Sequence, residues 1–466
     1  MKLSIRNFKT IGELKRFNFN SINIISGVNS SGKTSFIQFL LVLKQTAEAQ
    51  SANPALIFDG NRIRLGNFAD LVYKKDINNS IEFELQFDKE YIRDKFPSVY
   101  GIENVIINAV YSLNGEKTNL NNIRIAYQTP QTTKKEHYIN FECKNNKYKI
   151  SYTYSALFGK SFMGRITNPG ILNTVSFIPS TFIIEIDNPN YRTIEDLGLL
   201  DTNPTQKIAI EIKAQEIQSI VNEFFNNISY IGPLREEPQD LYRSNSTNKD
   251  IGSKGEYAAQ FFEEEANNLV EFYDIQNNEL NKMSLSDAVK YWICDVFNLA
   301  KDIKTDKYKD SYVVKIVNHY NVESTIRQVG FGISQVLPII VEGLRMNKNG
   351  ILILEQPEIH LHPKVQSALF DFIYSLSLTG KKFLIETHSD HFITRMRRRV
   401  AEDENKLSEK INLVFVEQKE AEHLFHKLNL DDMGTFDYFP VDFVEQTEDF
   451  GAIIMAQAKK AKTKQN

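Results

Sequence analysis

The sequence has few of the features that mark secreted, membrane-spanning or strongly basic proteins. Its only two cysteines in 466 residues, Cys143 and Cys294, lie far apart and form neither a disulfide framework nor a metal-binding pattern. No apolar run reaches the roughly eighteen residues of a membrane span, and the N-terminus MKLSIRNFKT lacks the apolar segment of a signal peptide. We therefore expect a cytoplasmic protein that makes no membrane contact.

An excess of charge of one sign is also missing. Lys and Arg number 55 against 59 Asp and Glu, which gives a formal net charge of −4. A chain with so little net charge has no overall basic field that attracts nucleic acid, so a DNA contact would need a local basic cluster. The segment TRMRRRV, with Arg395, Arg397, Arg398 and Arg399, is the candidate, although a solvated helix face is the commoner explanation of such a cluster.

The chain contains enough apolar residues for more than one hydrophobic core. Its length and its 42% of hydrophobic residues predict two or three folded units. Runs such as SIEFELQF and NVIINAVYSL alternate and are punctuated by Asn, Gly and Pro, which predicts antiparallel strands. Residues 210–228 and 255–300 are expected to be helical. We predict four segments: residues 1–80, the N-terminal half of a core; 81–227, a β-rich elaboration; 228–345, a helical lobe; and 346–466, the C-terminal half of the core.

A glycine-rich segment near the N-terminus has the pattern of a phosphate-binding loop. In IISGVNSSGKTSFIQFL, four residues separate Gly27 from Gly32-Lys33-Thr34, with an apolar strand before the loop and apolar residues at helical spacing after it. Such a loop turns backbone N–H groups toward an anion, and the start of the helix adds its positive dipole end. The predicted nucleotide-binding residues are Gly27, Asn29, Ser30, Ser31, Gly32, Lys33, Thr34 and Ser35.

An acidic strand end lies far along the chain, in GILILEQPEIHLHP. The four apolar residues before Glu355 predict a buried parallel strand, whose carboxyl end is where a ligand crevice forms in such sheets. The next residue, Gln356, cannot accept a proton, so Glu358 is the nearby carboxylate that could act as a base. His360 and His362 have a metal-like spacing with Glu358, but a metal site there is the weaker interpretation.

Two further segments complete the pattern. KKFLIETHSDHF is another short apolar run, and His388 follows its end. QVGFGISQVLPIIVEGL places Ser334 after two glycines at the start of a predicted helix, an arrangement that can bind an anion. In SYIGPLREEP, Arg235 could reach a phosphate at a strand end.

These segments, in this order, resemble the head domains of the SMC, RecF and OLD proteins, which are ABC-type ATPases of the AAA group. Asn7-Phe8 at the end of a first strand and the form GVNSSGKT match the start of those heads. The resemblance implies an α/β P-loop NTPase fold with a mixed sheet core, an antiparallel β elaboration and a helical lobe. It also implies ATP and Mg²⁺ as cofactors.

The resemblance assigns roles to individual residues. Thr34 and Glu355 are expected to hold Mg²⁺, and Ser334 is expected to contact the nucleotide of a neighbouring subunit. Gln356 stands where the family usually has the glutamate that activates water, so hydrolysis is expected to be slow unless Glu358 substitutes. The residues expected to take part in hydrolysis are Glu355, Gln356, Glu358 and His388.

The implied function is an ATPase that forms a homodimer or higher homo-oligomer through its ATP sites and regulates a separately encoded effector, with a nuclease as one candidate. Compact heads of this kind are often encoded in anti-phage defence systems. Two alternatives stay open: a scaffold held closed by ATP with little hydrolysis, and a RecF-like DNA-repair clamp. Too few residues follow His388 for the Toprim nuclease domain of OLD proteins, so none is expected.

Overall fold

A computed structural model describes most of the chain, and the described residues form two compact units. One unit comprises Met1–Asn18 and Ser35–Asn226, and the other comprises Phe19–Thr34 and Asn227–Asn466. The described residues are 1–28, 31–49, 55–95, 102–115, 117–128, 137–144, 147–152, 164–175, 177–186, 206–211, 215–244, 250–403, 406–419 and 422–438.

Strands and helices are numbered along the chain. The strands are β1 (Lys2–Phe8), β2 (Ile11–Asn18), β3 (Ile22–Gly27), β4 (Ile81–Phe87), β5 (Asn104–Asn114), β6 (Lys117–Gln128), β7 (His137–Lys144), β8 (Lys147–Tyr152), β9 (Gly164–Val175), β10 (Ile178–Ile186), β11 (Gln206–Glu211), β12 (Ile228–Ile231), β13 (Tyr242–Arg243), β14 (Leu269–Asp274), β15 (Glu279–Ser284), β16 (Asp302–Tyr308), β17 (Ser311–Val317), β18 (Glu323–Thr325), β19 (Ile351–Glu355), β20 (Lys382–Glu386), β21 (Ile411–Lys419) and β22 (Glu422–Leu428). The helices are α1 (Lys33–Glu48), α2 (Phe68–Leu71), α3 (Lys89–Lys95), α4 (Gln215–Asn226), α5 (Ala258–Glu264), α6 (Leu285–Lys290), α7 (Phe331–Arg345), α8 (Pro363–Ser377), α9 (Asp390–Glu402) and α10 (Leu407–Lys410).

The first unit is built on a ten-stranded antiparallel sheet with the order β11-β10-β9-β8-β7-β6-β5-β4-β1-β2. The alternation of buried and more exposed side chains favours these strands, as in β4, where every second side chain is buried. On the buried face, the ring of Phe83 stacks on Tyr111 at 6.2 Å between centroids and meets Phe177 edge-on at 5.9 Å. Such ring pairs add to the burial of apolar surface that stabilises the sheet. The antiparallel strands predicted in SIEFELQF and NVIINAVYSL are confirmed as β4 and β5.

The first turn differs in position from the expectation. The sequence suggests a turn at Gly12-Glu13, but the structure turns at Lys9-Thr10, and Gly12 lies within β2. Phe8 and Ile11 already pair across the turn, so only two residues connect the strands. Lys9 adopts a positive φ of 51°, a conformation that glycine would normally supply in so tight a turn.

The second unit carries the predicted mixed sheet, with the order β12-β19-β20-β3-β21-β22. The first five strands run parallel, and β22 returns antiparallel to β21. Every residue of β3 and of β19 is buried, which explains why both strands read as continuous apolar runs. All carboxyl ends of the parallel strands therefore meet at one edge of this sheet, where a ligand crevice is expected.

The segment 255–300 is only partly helical, which corrects the sequence expectation. It contains α5 and α6, but the hairpin β14–β15 lies between them. A separate four-stranded sheet is formed by β13, which precedes this segment, and by β16, β17 and β18, which follow it. The hairpin turn contains Asn278 with a positive φ of 57°. Asparagine tolerates that conformation and marks turns, so this residue was the available signal. The helix predicted within 210–228 is confirmed as α4.

In the part of the chain that the structure describes, no helix combines the length and the apolar character needed to cross a membrane.

Candidate functional site

The predicted phosphate loop connects β3 to α1, and two of its glycines are required by the backbone. Gly27 has a φ of +144°, and a Cβ atom there would lie 2.3 Å from the carbonyl oxygen of Val416. Gly32 has a φ of +96°, which side chains rarely allow. Asn29 and Ser30, predicted to bind nucleotide, lie outside the described residues.

Lys33 begins α1 and folds its side chain back over the loop. Its buried Nζ donates to the carbonyl oxygens of Gly27 at 3.0 Å and Val28 at 2.6 Å. Burial lowers the pKa of Lys33, while the carboxyl groups of Glu386 and Glu358 act in the opposite direction. The ammonium group is thus held at the loop beside acidic side chains, where a phosphate could replace its backbone partners.

Neighbouring hydroxyl and imidazole groups complete the loop. The carbonyl oxygen of Ser31 lies 2.7 Å from Nδ1 of His423 on β22, so this nitrogen must be the donor. The Ser31 hydroxyl is buried and has no hydrogen-bond partner. In the first unit, the Ser35 hydroxyl lies 2.9 Å from that of Thr10. His423 could not be predicted from the sequence, because its contact depends on the pairing of β22 with β21.

Two glutamates stand side by side at the sheet edge. Glu355 ends β19 and Glu386 ends β20, and the two are partners in the parallel register. The Thr34 hydroxyl donates to Glu386 Oε1 at 2.9 Å, and the Tyr230 hydroxyl donates to Glu355 Oε1 at 2.9 Å. The structure therefore pairs Thr34 with Glu386, whereas the sequence analysis expected Glu355 to share a metal with it. The run FLIE repeats the form of ILILE, so it was the available signal for Glu386.

The environment of these glutamates disfavours negative charge. Burial, together with the neighbouring Glu386, raises the pKa of Glu355 to about 7. Burial also raises the pKa of Glu386, against the opposing effects of the Thr34 hydrogen bond and Lys33. Carboxylates that repel each other in a buried site are stabilised by a bound cation. The pair is thus suited to hold a divalent metal ion.

Glu358 and His388 lie next to each other. The backbone N–H of His388 donates to Glu358 Oε1 at 2.7 Å, and Oε2 of the same carboxyl group is buried without a partner. Burial raises the pKa of Glu358 despite this hydrogen bond. Burial and the nearby Lys33 lower the pKa of His388 to about 4, so its imidazole is neutral near pH 7. Glu358 therefore has one oxygen free to accept a proton, and the neutral imidazole can hydrogen-bond a phosphate.

Gln356 sits between these groups in an unusual backbone conformation. Its φ is +44°, its N–H donates to the carbonyl oxygen of Glu386 at 2.8 Å, and its own carbonyl accepts from Arg235 at 3.1 Å. A non-glycine residue in the left-handed region costs energy and persists only where surrounding contacts hold it. The strained backbone here is fixed from both sides by its hydrogen bonds.

The structure places Ser334 inside α7. It is the fourth residue of the helix, is buried, and its hydroxyl donates to the carbonyl oxygen of Phe331 at 2.7 Å. Phe331, the first residue of the helix, is 59% exposed, and the space beside Gly330 is open. In the segment QVGFGISQVLPIIVEGL, Gln328, Gly330 and Phe331 are therefore exposed, whereas Ser334 is buried in the first turn of the helix.

The histidines of EIHLHP have structural roles. His362 caps α8, with its Nδ1 accepting from the N–H of Lys364 at 3.2 Å, and the ring of His360 lies 6.3 Å from that of Phe331. Among the described residues, no group of three or more His, Cys, Asp and Glu could hold a metal ion. Mg²⁺ does not need such a group, because it commonly uses one or two carboxylates together with phosphates and water.

The arginine cluster on α9 is occupied by internal contacts. Arg395 and Arg399 both donate to the buried carboxylate of Asp371. Arg397 donates to a backbone carbonyl oxygen, and Arg398 pairs with Glu402 on the same helix. The cluster thus packs and pairs within its own unit, and a solvated helix face, the commoner explanation, describes only Arg398, whose side chain is 61% exposed.

Several buried polar atoms at the sheet edge lack partners. Buried polar groups are nearly always hydrogen-bonded, so a group of exceptions at one edge indicates a place where a polar ligand binds. Phosphates would satisfy the donors, and Mg²⁺ or water would satisfy the carboxylates, so the residues present fit Mg²⁺ and ATP. The atoms are Ser31 Oγ, Arg235 Nε and Nη2, Glu358 Oε2 and Glu386 Oε2.

The fold has weak likenesses among solved structures. The SmcHead bound to the C-winged helix domain of ScpA has 11% sequence identity and a TM-score of 0.41, and the match covers 92% of this chain and 97% of that one. The SMC head domain from Thermotoga maritima has 9% identity, coverage of 91% and 97%, and a TM-score of 0.35. The Smc head domain with an extended coiled coil, bound to the C-terminal domain of ScpA derived from Pyrococcus furiosus, has 12% identity, coverage of 92% and 96%, and a TM-score of 0.40.

A match to a protein family gives firmer evidence of relationship than these structural likenesses do. No curated protein matches the chain. The family model described as AAA ATPase domain matches residues 1–393. The match begins with β1 and includes the phosphate loop, the two glutamate-ended strands and His388. Because the match spans most of the chain, the chain belongs to the AAA ATPase domain family.

Proposed function

We propose that this ATPase closes as a homodimer, or a higher homo-oligomer, around ATP and thereby regulates a separately encoded effector in anti-phage defence. The observation that carries the enzymatic part is the position of Lys33 and Thr34 beside the buried Glu386 and Glu358, with Glu355 next to Glu386 in the sheet. The defence role and the effector are carried by the resemblance of the motif order. ATP turnover by the purified chain, measured with and without Mg²⁺, tests the first part.

Different residues of the chain have different roles in the proposed site. The loop glycines and Lys33 hold the phosphates, and the Thr34 hydroxyl with Glu386 and Glu355 provides the oxygen ligands that Mg²⁺ prefers. The metal, when bound, neutralises phosphate charge. Glu358, with its unpartnered oxygen, is placed to accept a proton from water, and the neutral imidazole of His388 positions a phosphate oxygen.

Replacing Glu386 by glutamine should weaken the metal's contribution to ATP binding. The amide keeps the side chain's size but removes its charge, so Mg²⁺ should tighten ATP binding by about tenfold less than in the unmodified protein. Titration of ATP with Mg²⁺ and with EDTA measures this difference. Glu279→Gln, at an exposed position on β15, is the matched control. An unchanged Mg²⁺ effect in Glu386→Gln would remove this residue from the metal site.

The exposed start of α7 supports the dimer. Phe331 is a large apolar side chain left open to solvent beside Gly330, and aromatic residues are enriched at protein–protein interfaces. We therefore propose that Gly330-Phe331 faces the nucleotide of the partner subunit, with Ser334 holding the helix start in place.

Ser334→Arg and Gly330→Arg should both prevent ATP-dependent dimerisation while a single subunit still binds ATP. Ser334 is buried, so arginine there also disturbs the helix, whereas a Cβ atom at Gly330 meets nothing within 4 Å. Gly330→Arg is therefore the cleaner test. Light scattering with a non-hydrolysable ATP analogue gives the mass, and Gln276→Arg in the exposed β14–β15 turn is the control. Dimers formed by Gly330→Arg would place the contact elsewhere.

A scaffold held closed by ATP is the second candidate, and Gln356 supports it because an amide cannot act as a base. Single-turnover hydrolysis separates the two candidates, since a scaffold retains ATP unchanged. A DNA clamp has less support, because the arginines on α9 already have partners within the protein. DNA binding that weakens steeply with salt would support it.

The regulatory part of the proposal needs the effector. We expect the product of a neighbouring gene to co-purify with this chain, and the strength of that association to differ between ATP and ADP. An association that is the same with both nucleotides would contradict regulation by ATP.

A further inference from the structure

Arg235 is a buried cation that the proposed mechanism has not used. It follows β12 and the turn at Gly232-Pro233, and only 7% of it is exposed. One nitrogen, Nη1, donates to the carbonyl oxygens of Pro233 at 2.9 Å and Gln356 at 3.1 Å. The other two, Nε and Nη2, are buried without a partner. Half of the guanidinium group is thus fixed by the backbone, and the other half has its hydrogen-bonding capacity unused.

Without a bound anion, this arrangement lowers the stability of the fold. Among the described residues, no carboxylate lies within ion-pair distance of Arg235, whereas the mostly buried Arg345, Arg395 and Arg399 each pair with at least one. A buried charge without a paired partner destabilises a fold. Burial lowers the pKa of Arg235 to about 10, despite the nearby Glu358, so the group is still charged at neutral pH. The fold therefore holds a positive charge ready for a negative partner.

The strand order indicates which part of a nucleotide would pair with Arg235. Lys33 follows β3, and Arg235 reaches the end of β19 from β12, on the other side of β20 and β19. Glu358 lies close enough to both cations to raise the pKa of each. A phosphate chain that starts in the loop and extends along the sheet edge would bring its last phosphate nearest to Arg235.

We propose that Arg235 recognises the terminal phosphate of a nucleoside triphosphate through Nε and Nη2, and so distinguishes ATP from ADP. This inference rests on the proposed ATP site. The two nitrogens form one edge of the guanidinium plane, which matches the two oxygens of a phosphate. The bond from Nη1 to Gln356 connects this sensor to the strained backbone beside Glu355.

Arg235→Met tests the proposal with a side chain of similar length and no charge. The full chain should lose affinity for a non-hydrolysable ATP analogue by about 10- to 100-fold, the size of a lost charge-assisted hydrogen bond pair. Affinity for ADP should stay within about twofold, because ADP lacks the contact. The melting temperature without nucleotide should be equal or higher, since an unpaired buried charge has been removed. Calorimetric titration and thermal unfolding measure these quantities.

The controls separate sensing from a structural role. Arg243→Met, at an exposed position on β13, should change neither affinity. Arg235→Lys keeps the charge without the planar fork and should fall between the two. Equal losses for ADP and the triphosphate analogue, or a lower melting temperature without nucleotide in both Arg235 variants, would overturn the proposal in favour of a structural role. An unmodified protein that binds neither nucleotide would instead overturn the ATP site itself.

Discussion

Lys33→Ala is expected to abolish ATP binding. The Lys33 side chain reaches back into the phosphate loop, where it now bonds to the carbonyl oxygens of Gly27 and Val28. Its removal takes away a charge-assisted bond to phosphate and the positive charge that opposes Glu386 beside the ligand. Affinity should fall by roughly two orders of magnitude or more.

Calorimetric titration of Mg²⁺-ATP measures the loss. Lys15→Ala, at a side chain that is 75% exposed, is the matched control and should bind as the unmodified protein does. Thermal unfolding verifies that the Lys33 variant is folded. Tight nucleotide binding by a folded Lys33→Ala protein would show that the loop is not the phosphate site.

Glu358→Gln is expected to reduce the single-turnover rate of ATP hydrolysis by about a hundredfold or more while leaving ATP binding largely intact. The Glu358 carboxyl group has one oxygen held by the N–H of His388 and the other without a partner, and burial raises its pKa. An amide in its place keeps the hydrogen bond and cannot take the proton.

Gln356→Glu provides the opposing test. The sequence alone favours slow hydrolysis, with this change restoring a missing base and accelerating turnover. The structure adds that a fourth carboxylate would join the buried Glu355, Glu358 and Glu386, which disfavours its ionised form. We therefore expect unchanged or slower turnover. Faster turnover by Gln356→Glu, together with an unaffected Glu358→Gln, would show that ATP acts as a slowly hydrolysed clamp.

The strands of the central sheet could be predicted from the sequence, because strands buried on both faces are continuous runs of apolar residues. The runs INII, ILIL and FLI are typical of buried strands. Glycines at positions 27 and 32 of the loop indicate backbone conformations that other residues rarely adopt. Strand order was not readable, because parallel neighbours are joined by long connections and not by local turns. The order is what puts Glu386 beside Thr34.

The parts that were missed depend on partners distant in sequence. The strand β16, DIKTDKY, is mostly polar because one face is exposed, so it resembles a loop until β17 pairs with it. The exposure of Phe331 and the burial of Ser334 follow from where α7 packs, and periodicity alone does not reveal which side of the helix start faces solvent. Arg235 was visible as a charge, but its lack of a partner is a property of the folded site.

The position of β3 has a consequence for how the protein is made. This strand belongs to the second unit, yet the chain enters it from the first unit and returns there at Ser35. Both of its neighbours, β20 and β21, are synthesised more than 350 residues after it, since β3 ends at residue 27 and β20 begins at residue 382. At about 5–20 residues per second, this isoleucine-rich strand stays unpaired for about 20–75 seconds. The nucleotide site therefore forms only after these late strands have been made, so we expect β3 to need chaperone protection during synthesis.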